Sequence, residues 1–355
     1  MKQKFRLALI VGALLGAGLT TQGVAAPEKA DTRTASKKAA PANAKSAHKS
    51  VQKTESKTAP KVAAKAKSSP KKVAVAKSGK SMAVAAVHKP ARKVSFTDVD
   101  PDRLALYSAS ALVIDQVTGQ SLLDKNSHEV VPIASISKLM TAMVVLDAKL
   151  DLNEVIAIGD EDVDGLKGTR SRLPVGTTMT RETAMLLALM SSENRAAHTL
   201  GRHYPGGMPA FVAAMNRKAQ SLGMNSSRFE EPTGLSSNNV STARDLARMV
   251  TAAARYPEIR SFSTTAEAKL ELNGRISHFG NTNALVRSDN WEIGLSKTGY
   301  ISEAGRCLVM QAHVADKPVV IVLLYSVGKM TRVGDANRIK RWMESASLAP
   351  DRKPA

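Results

Sequence analysis

The chain has 355 residues, 51 Lys and Arg against 31 Asp and Glu, a formal charge of +20 and a single cysteine, Cys307. One thiol excludes an intrachain disulfide framework, so Cys307 reads as a small buried hydrophobe. The length allows one or two domains, and uneven composition favours one folded domain behind a long non-globular leader.

Residues 1–26 combine Lys2, Lys4 and Arg6 with an apolar run over 7–19 and the small residues Gly23, Val24 and Ala25. This is the pattern of a secretory signal peptide cut near Ala25 or Ala26, with a run too short to span a bilayer comfortably. The mature protein is therefore expected outside the cytoplasm, in the periplasm. Residues 27–93 hold 16 lysines and 2 arginines against Glu28, Asp31 and Glu55, separated by Ala, Ser, Thr, Pro and Val. Such a stretch buries too little apolar surface to fold and reads as a disordered basic tether. The charge is concentrated here: residues 94–355 keep only two of the twenty excess positive charges. A tether of this charge can bind polyanions. Export argues against nucleic acid as the physiological partner and leaves anionic envelope polymers, a membrane surface, or a solvated spacer without a partner as the open readings.

The folded domain is expected over 94–347, followed by a short tail at 348–355. Residues 109–115 and 120–125, joined by a turn with Gly119, read as a β-hairpin. Pro132 then opens an apolar-periodic stretch to Leu150 that reads as a buried helix, with Ile136, Leu139, Met140 and Val144 on its packed side. Ser135 and Lys138, three apart, share a face of that helix. A serine becomes a nucleophile when a neighbour takes its proton, and a lysine does so only if burial or another cation lowers its pKa. Ser-x-x-Lys recurs at Ser46, Ser50, Ser68, Ser69 and Ser326 in lysine-rich or turn sequence. Only Ser135 has an apolar helical setting.

Residues 150–176 read as a polar, irregular loop. Asp160, Asp162, Asp164 and Gly165 mimic the opening of a calcium loop, but Ser171 stands where the bidentate glutamate belongs. These acids read as solvated, and no metal or cofactor is expected; His198 and His203, five apart, do not share a helix face. A helix over 180–190, capped by Thr180, meets a second over 195–203 at the polar junction Ser191-Ser192-Glu193-Asn194. Further helices are expected at 208–222, closed by Gly223, and at 241–254, capped by Ser241 or Thr242, with a turn at 231–235 between them. Residues 291–298, 307–314 and 319–326 form an antiparallel meander, and 331–346 a closing helix. The fold class is α/β of the α+β kind: a five-stranded antiparallel sheet flanked by helices, with a helical insertion. On the meander, Lys297-Thr298-Gly299 supplies a cation, a hydroxyl donor and open backbone, which suit a carboxylate-bearing substrate and a developing oxyanion.

The ordered set Ser135-x-x-Lys138, Ser192-x-Asn194 and Lys297-Thr298-Gly299 resembles the motifs of penicillin-binding proteins and class A β-lactamases. Residues 189–197, 231–235 and 281–283 are similar to those of the low-molecular-mass D-alanyl-D-alanine endopeptidases of the penicillin-binding protein 7 type. The resemblance implies a β-lactamase/transpeptidase-like fold and cleavage of D-alanyl peptide stems in peptidoglycan through an acyl-enzyme, with β-lactams as covalent inhibitors. It implies that Ser135 attacks, Lys138 accepts the proton, and Ser192 relays a proton to the leaving amine. Asn194 would hold the substrate backbone, and Lys297 and Thr298 its carboxylate, with Lys297 helping to depress the pKa of Lys138. The backbone N–H groups of Ser135 and Tyr300 would form the oxyanion hole. A β-lactamase adds a glutamate with an asparagine four residues on; Glu230 and Glu231 are followed there by Gly234 and Leu235. Membrane-anchored D-alanyl-D-alanine carboxypeptidases add a second domain and an amphipathic helix, of which 347–355 shows neither. The expectation is a soluble endopeptidase acting on cross-links, with a carboxypeptidase or a tether-led binding protein as the alternatives.

Overall fold

The computed structural model describes residues 104–347. The expected signal peptide over 1–26, basic tether over 27–93 and short tail over 348–355 lie outside the described residues. In chain order the elements are β1 (Ser108–Asp115), β2 (Ser121–Lys125), β3 (Val131–Pro132), α1 (Ser137–Asp147), β4 (Val155–Ala157), β5 (Thr178–Thr180), α2 (Arg181–Met190), α3 (Asn194–Arg202), α4 (Gly207–Ser221), β6 (Val240–Ser241) and α5 (Ala243–Ala253). There follow α6 (Pro257–Thr264), β7 (Glu267–Leu272), β8 (Arg275–Gly280), β9 (Glu292–Ile301), β10 (Gly305–Val314), β11 (Lys317–Ser326) and α7 (Thr331–Ser347).

Strands from both ends of this stretch make one antiparallel sheet in the order β2-β1-β11-β10-β9. Its central strands are apolar in unbroken runs because both faces are covered. Val309, Val320, Val322 and Leu324 pack with the buried side chains of α1 and α5. Their alternates Leu308, Met310, Ile321 and Leu323 pack with Ile339, Trp342 and Met343 of α7. The expected five-stranded sheet with helices inserted between its second and third strands in sequence is thus what forms.

The structure departs from the expected elements in four respects. Ala134 takes a left-handed φ of +49°, so residues 134–136 form a tight 3₁₀ turn and α1 begins only at Ser137. Pro132 belongs to β3, paired with β6, rather than to the helix. Every residue from Ser137 to Val145 is buried, so α1 is a wholly enclosed central helix rather than a one-faced one. The stretch between Ala254 and Trp291, unassigned by sequence pattern, holds α6 and the β7–β8 hairpin.

The 150–176 region is less irregular than its composition implies. β4 pairs with β5 and ties the base of the loop between them. Asp162 is buried and accepts from His198 Nδ1 and Arg202 Nη2, both at 2.7 Å, and from Gly159 N at 2.8 Å. Although burial opposes it, these donors hold the carboxyl down at about 2. The reading of Asp162 as solvated is therefore corrected: it is an internal anchor joining the loop to α3. Asp164 instead closes a turn, taking the N–H groups of Leu166, Lys167 and Thr169.

Candidate active site

Ser135 lies in the 3₁₀ turn, one residue beyond the left-handed Ala134, and Lys138 in the first turn of α1. Lys138 Nζ is 2.9 Å from Ser135 Oγ, 2.8 Å from Asn194 Oδ1 and 2.7 Å from the Thr233 carbonyl oxygen. The last two groups only accept. They take both hydrogens of a neutral amine and leave its lone pair aimed at the Ser135 hydroxyl. Lys138 is 0% exposed, and burial lowers its pKa from 10.5 to about 7, against the opposing pull of Glu231, Glu193 and Asp164. The amine form that can accept a proton is thus abundant near neutrality.

Two more arms reach the same point. Ser192 follows the end of α2 with a left-handed φ of +60°, and its Oγ accepts from Lys297 Nζ at 2.9 Å. Left-handed backbone in a non-glycine residue is unfavourable and persists where surroundings impose it; Ala134 and Ser192 are two such residues, both at this site. Lys297 is 1% exposed within edge strand β9, and burial, then the charges of Lys138 and Arg332, push its pKa well below 10.5. Burial is the leading cause of the shift in both lysines. Thr298 Oγ1 donates to Thr282 Oγ1 at 2.7 Å. The side chain of Tyr300 is 57% exposed and stacks on Arg306, 4.5 Å from ring centre to guanidinium carbon.

Glycines bring backbone against backbone around the nucleophile. A Cβ on Gly299 would lie 2.8 Å from the Ile133 carbonyl oxygen and 3.2 Å from Ser135 N. On Gly234, with φ +80°, it would lie 1.8 Å from the Ala134 carbonyl oxygen. The turn carrying Ser135 is thus clamped between β9 and the 231–235 turn. All eight expected residues, Ser135, Lys138, Ser192, Asn194 and Lys297 to Tyr300, belong to this one region of the molecule.

Four supporting roles escape the sequence reading. Glu231 accepts the N–H groups of Thr233, Gly234 and Ser236 and the Thr233 hydroxyl, shaping the turn that offers the Thr233 carbonyl to Lys138. Its oxygens are consumed in this turn, unlike those of a water-activating base. Glu193 is buried and accepts from Ser171 Oγ at 2.7 Å and Arg172 Nε at 2.9 Å, which fixes the motif between Ser192 and Asn194. Thr169 Oγ1 accepts from Asn194 Nδ2 at 2.9 Å. Arg332, from α7, donates to the carbonyls of Gly299 and Cys307 and ties β9 to β10 from behind. The turn at 231–235 is legible in sequence, though the role of Glu231 within it is not; Arg332 has no local signal. Among the described residues no group of three His, Cys, Asp or Glu side chains is placed to hold a metal ion.

Residues 95–327 match the family described as D-alanyl-D-alanine carboxypeptidase. The chain is 50% identical over 250 residues to a D-alanyl-D-alanine endopeptidase of Pseudomonas aeruginosa, covering 70% of this chain and 81% of the relative. It is 48% identical over 245 residues to a D-alanyl-D-alanine endopeptidase of Escherichia coli, covering 68% and 79%. Among solved structures, a Streptomyces DD-transpeptidase superposes with a TM-score of 0.62 at 26% identity, covering 67% of this chain and 97% of that one. A D-alanyl-D-alanine carboxypeptidase from Mycobacterium tuberculosis superposes with a TM-score of 0.61 at 27% identity, covering 67% and 90%.

Proposed function

The chain belongs to the D-alanyl-D-alanine carboxypeptidase family, and on that footing we propose that it is a serine D-alanyl-D-alanine endopeptidase hydrolysing the peptide cross-links of peptidoglycan. The observation that carries this reading is the Lys138 amine, buried, held near neutrality and aimed at Ser135 Oγ from 2.9 Å.

In this mechanism Ser135 Oγ attacks the carbonyl carbon of the penultimate D-alanine while its proton passes to Lys138 Nζ. The backbone N–H groups of Ser135 and Tyr300 hold the oxyanion. Ser192 Oγ relays that proton from Lys138 to the departing amine, which restores the Lys138 amine, while Lys297 Nζ donates to Ser192 Oγ and holds it in place. Asn194 serves the substrate backbone as well as Lys138, while Lys297 and Thr298 receive the carboxylate. Water then attacks the acyl-enzyme with Lys138 as base, releasing the peptide acid and restoring Ser135. β-Lactams enter the first half of this cycle and acylate Ser135.

The export pattern of residues 1–26 supports a periplasmic location, with residues 27–93 as a basic spacer suited to anionic envelope polymers and 94–347 as the peptidase domain. The greater identity to endopeptidases than to carboxypeptidases such as one of Bacillus subtilis, 50% against 30%, favours cross-links as substrate. The test is to incubate the full chain and its Ser135→Ala variant with cross-linked and linear muropeptides and identify products by mass. Dimers converted to monomers by the wild type alone are expected. Loss of only a terminal D-alanine would replace this reading with a carboxypeptidase, and an inert wild type would overturn it.

A further inference from the structure

We propose that the open cavity between the β1–β2 turn and α5 binds an amphiphilic anion, a phosphate or carboxylate head group on an apolar tail, at a site separate from the catalytic cleft. The inference draws on none of the catalytic residues and stands independently of the peptidase reading.

The cavity has a volume of about 490 Å³. Small-molecule sites usually fall between about 300 and 1,000 Å³. Its floor is apolar: Leu112 of β1 and Ala247 of α5 are buried, and Ile114 and Leu222 are partly buried against the same core. Its rim is cationic. Arg244, Arg248, Thr251 and Arg255 follow one another at helical spacing, so they share one face of α5 and of the turn that ends it. Three guanidiniums thus line the cavity, and none of its lining residues is a carboxylate.

Like charges four residues apart weaken a helix, so the fold gains nothing from this row. Two carboxylates outside the cavity offset part of it: Asp124 pairs with Arg244 and Asp245 with Arg248. Each of these arginines keeps further N–H donors. Arg255 is exposed and has no carboxylate partner among the described residues. The cavity therefore sets one uncompensated positive charge and several planar N–H donors over an apolar floor. A bare anion would leave the floor wet, whereas an anionic head with an apolar tail serves rim and floor together. The site is also clear of the catalysis. In the sheet order, β1 stands three strand spacings from β9, about 14 Å, so a ligand held here leaves the Ser135 cleft open.

The test compares the full chain with Arg248→Ala, Arg255→Ala and Thr251→Trp, the last placing a ring in the cavity. Titration calorimetry measures binding of dodecyl phosphate, below its micelle concentration, and of inorganic phosphate. The charges of residues 27–93 are common to all four proteins, so differences between them report the cavity. Each arginine variant should bind dodecyl phosphate about three- to tenfold more weakly than the wild type. Thr251→Trp should lose this binding as well, and penicillin labelling of Ser135 should stay unchanged in all three variants. Inorganic phosphate should bind the wild type about a hundredfold more weakly than dodecyl phosphate, for want of the tail. Vesicles of phosphatidylglycerol, against phosphatidylcholine, separate the sources of such a ligand. Vesicle binding that falls in the arginine variants assigns a membrane lipid; vesicle binding that stays level while dodecyl phosphate still discriminates assigns a free amphiphile. Equal dodecyl phosphate affinity in all four proteins, or inorganic phosphate bound as tightly as dodecyl phosphate, would overturn the site. Displacement of dodecyl phosphate by an equal concentration of hexaglutamate would overturn it too, since a polyanion without a tail would then suffice.

Discussion

Replacing Lys138 by alanine is expected to slow acylation of Ser135 by about 10²–10⁴-fold, the range for removing a positioned general base, with the chain still folded. The magnitude follows from geometry: Lys138 Nζ is the amine within reach of Ser135 Oγ, at 2.9 Å, and its hydrogens are already committed to Asn194 and Thr233. Its pKa of about 7 gives the wild type a distinctive pH profile. Acylation by a fluorescent penicillin should fall about tenfold per pH unit below 7, because the ammonium form cannot accept the serine proton. Lys138→Arg should be slow at every pH, since a guanidinium stays protonated.

The same burial affects stability. The unfolded lysine titrates near 10.5 and the folded one near 7, so between these values the unfolded chain binds the extra proton. Stability from this group therefore rises with pH across that window and is lost as pH falls toward 7. The urea midpoint of the wild type should climb more between neutral and mildly alkaline pH than that of Lys138→Ala. Equal slopes would place the amine in a more solvated setting than the structure gives it.

Gly234→Ala is expected to be the most damaging single-methyl addition near the site. The new Cβ would meet the Ala134 carbonyl oxygen at 1.8 Å and Ser135 N at 2.8 Å, and the residue would have to keep φ +80°. Left-handed backbone alone costs about 1–2 kcal/mol. The clash is with backbone that no rotamer change relieves, so the total should reach about 3 kcal/mol or more. The variant should also label with penicillin at a small fraction of the wild-type rate, because the carbonyl that must move adjoins the nucleophile. Gly119→Ala separates the two contributions: φ is +72° there, but nothing lies within 4 Å of the added methyl. That variant should lose only about 1 kcal/mol and no activity. Urea unfolding and labelling rates on the three proteins check the ranking, and Gly234→Ala behaving like Gly119→Ala would contradict the clamp around Ser135.

The parts of the fold legible in sequence are those whose cause is local. Unbroken apolar runs disclose strands covered on both faces, and Thr180 and Thr242 cap their helices as their residue types imply. The β7–β8 hairpin is legible on the same grounds, although the sequence reading leaves it unassigned. Its turn is Asn273-Gly274, with φ +51° and +70°, a strong hairpin signal. Its first strand, Glu267–Leu272, alternates exposed polar positions with Ala268, Leu270 and Leu272 packed inward, the pattern of a half-buried strand. The short helix α6 buries only Ile259 and Ser263 and gives too little periodicity to read. At the site, the reactive groups are legible as motifs because chemistry fixes residue type. Their supports depend on contacts distant in sequence, such as Arg332 to Gly299 and Glu193 to Ser171, for which no short pattern exists. The left-handed backbone of Ala134 and Ser192 is likewise imposed by packing, since neither residue type favours it.

The most direct measurement is to treat the full chain with excess penicillin, digest it and locate the covalent adduct by peptide mass. One penicilloyl group on Ser135, absent from Ser135→Ala and slow to appear in Lys138→Ala, is the predicted result. An adduct on any other residue, or undiminished labelling of Ser135→Ala, would contradict the account.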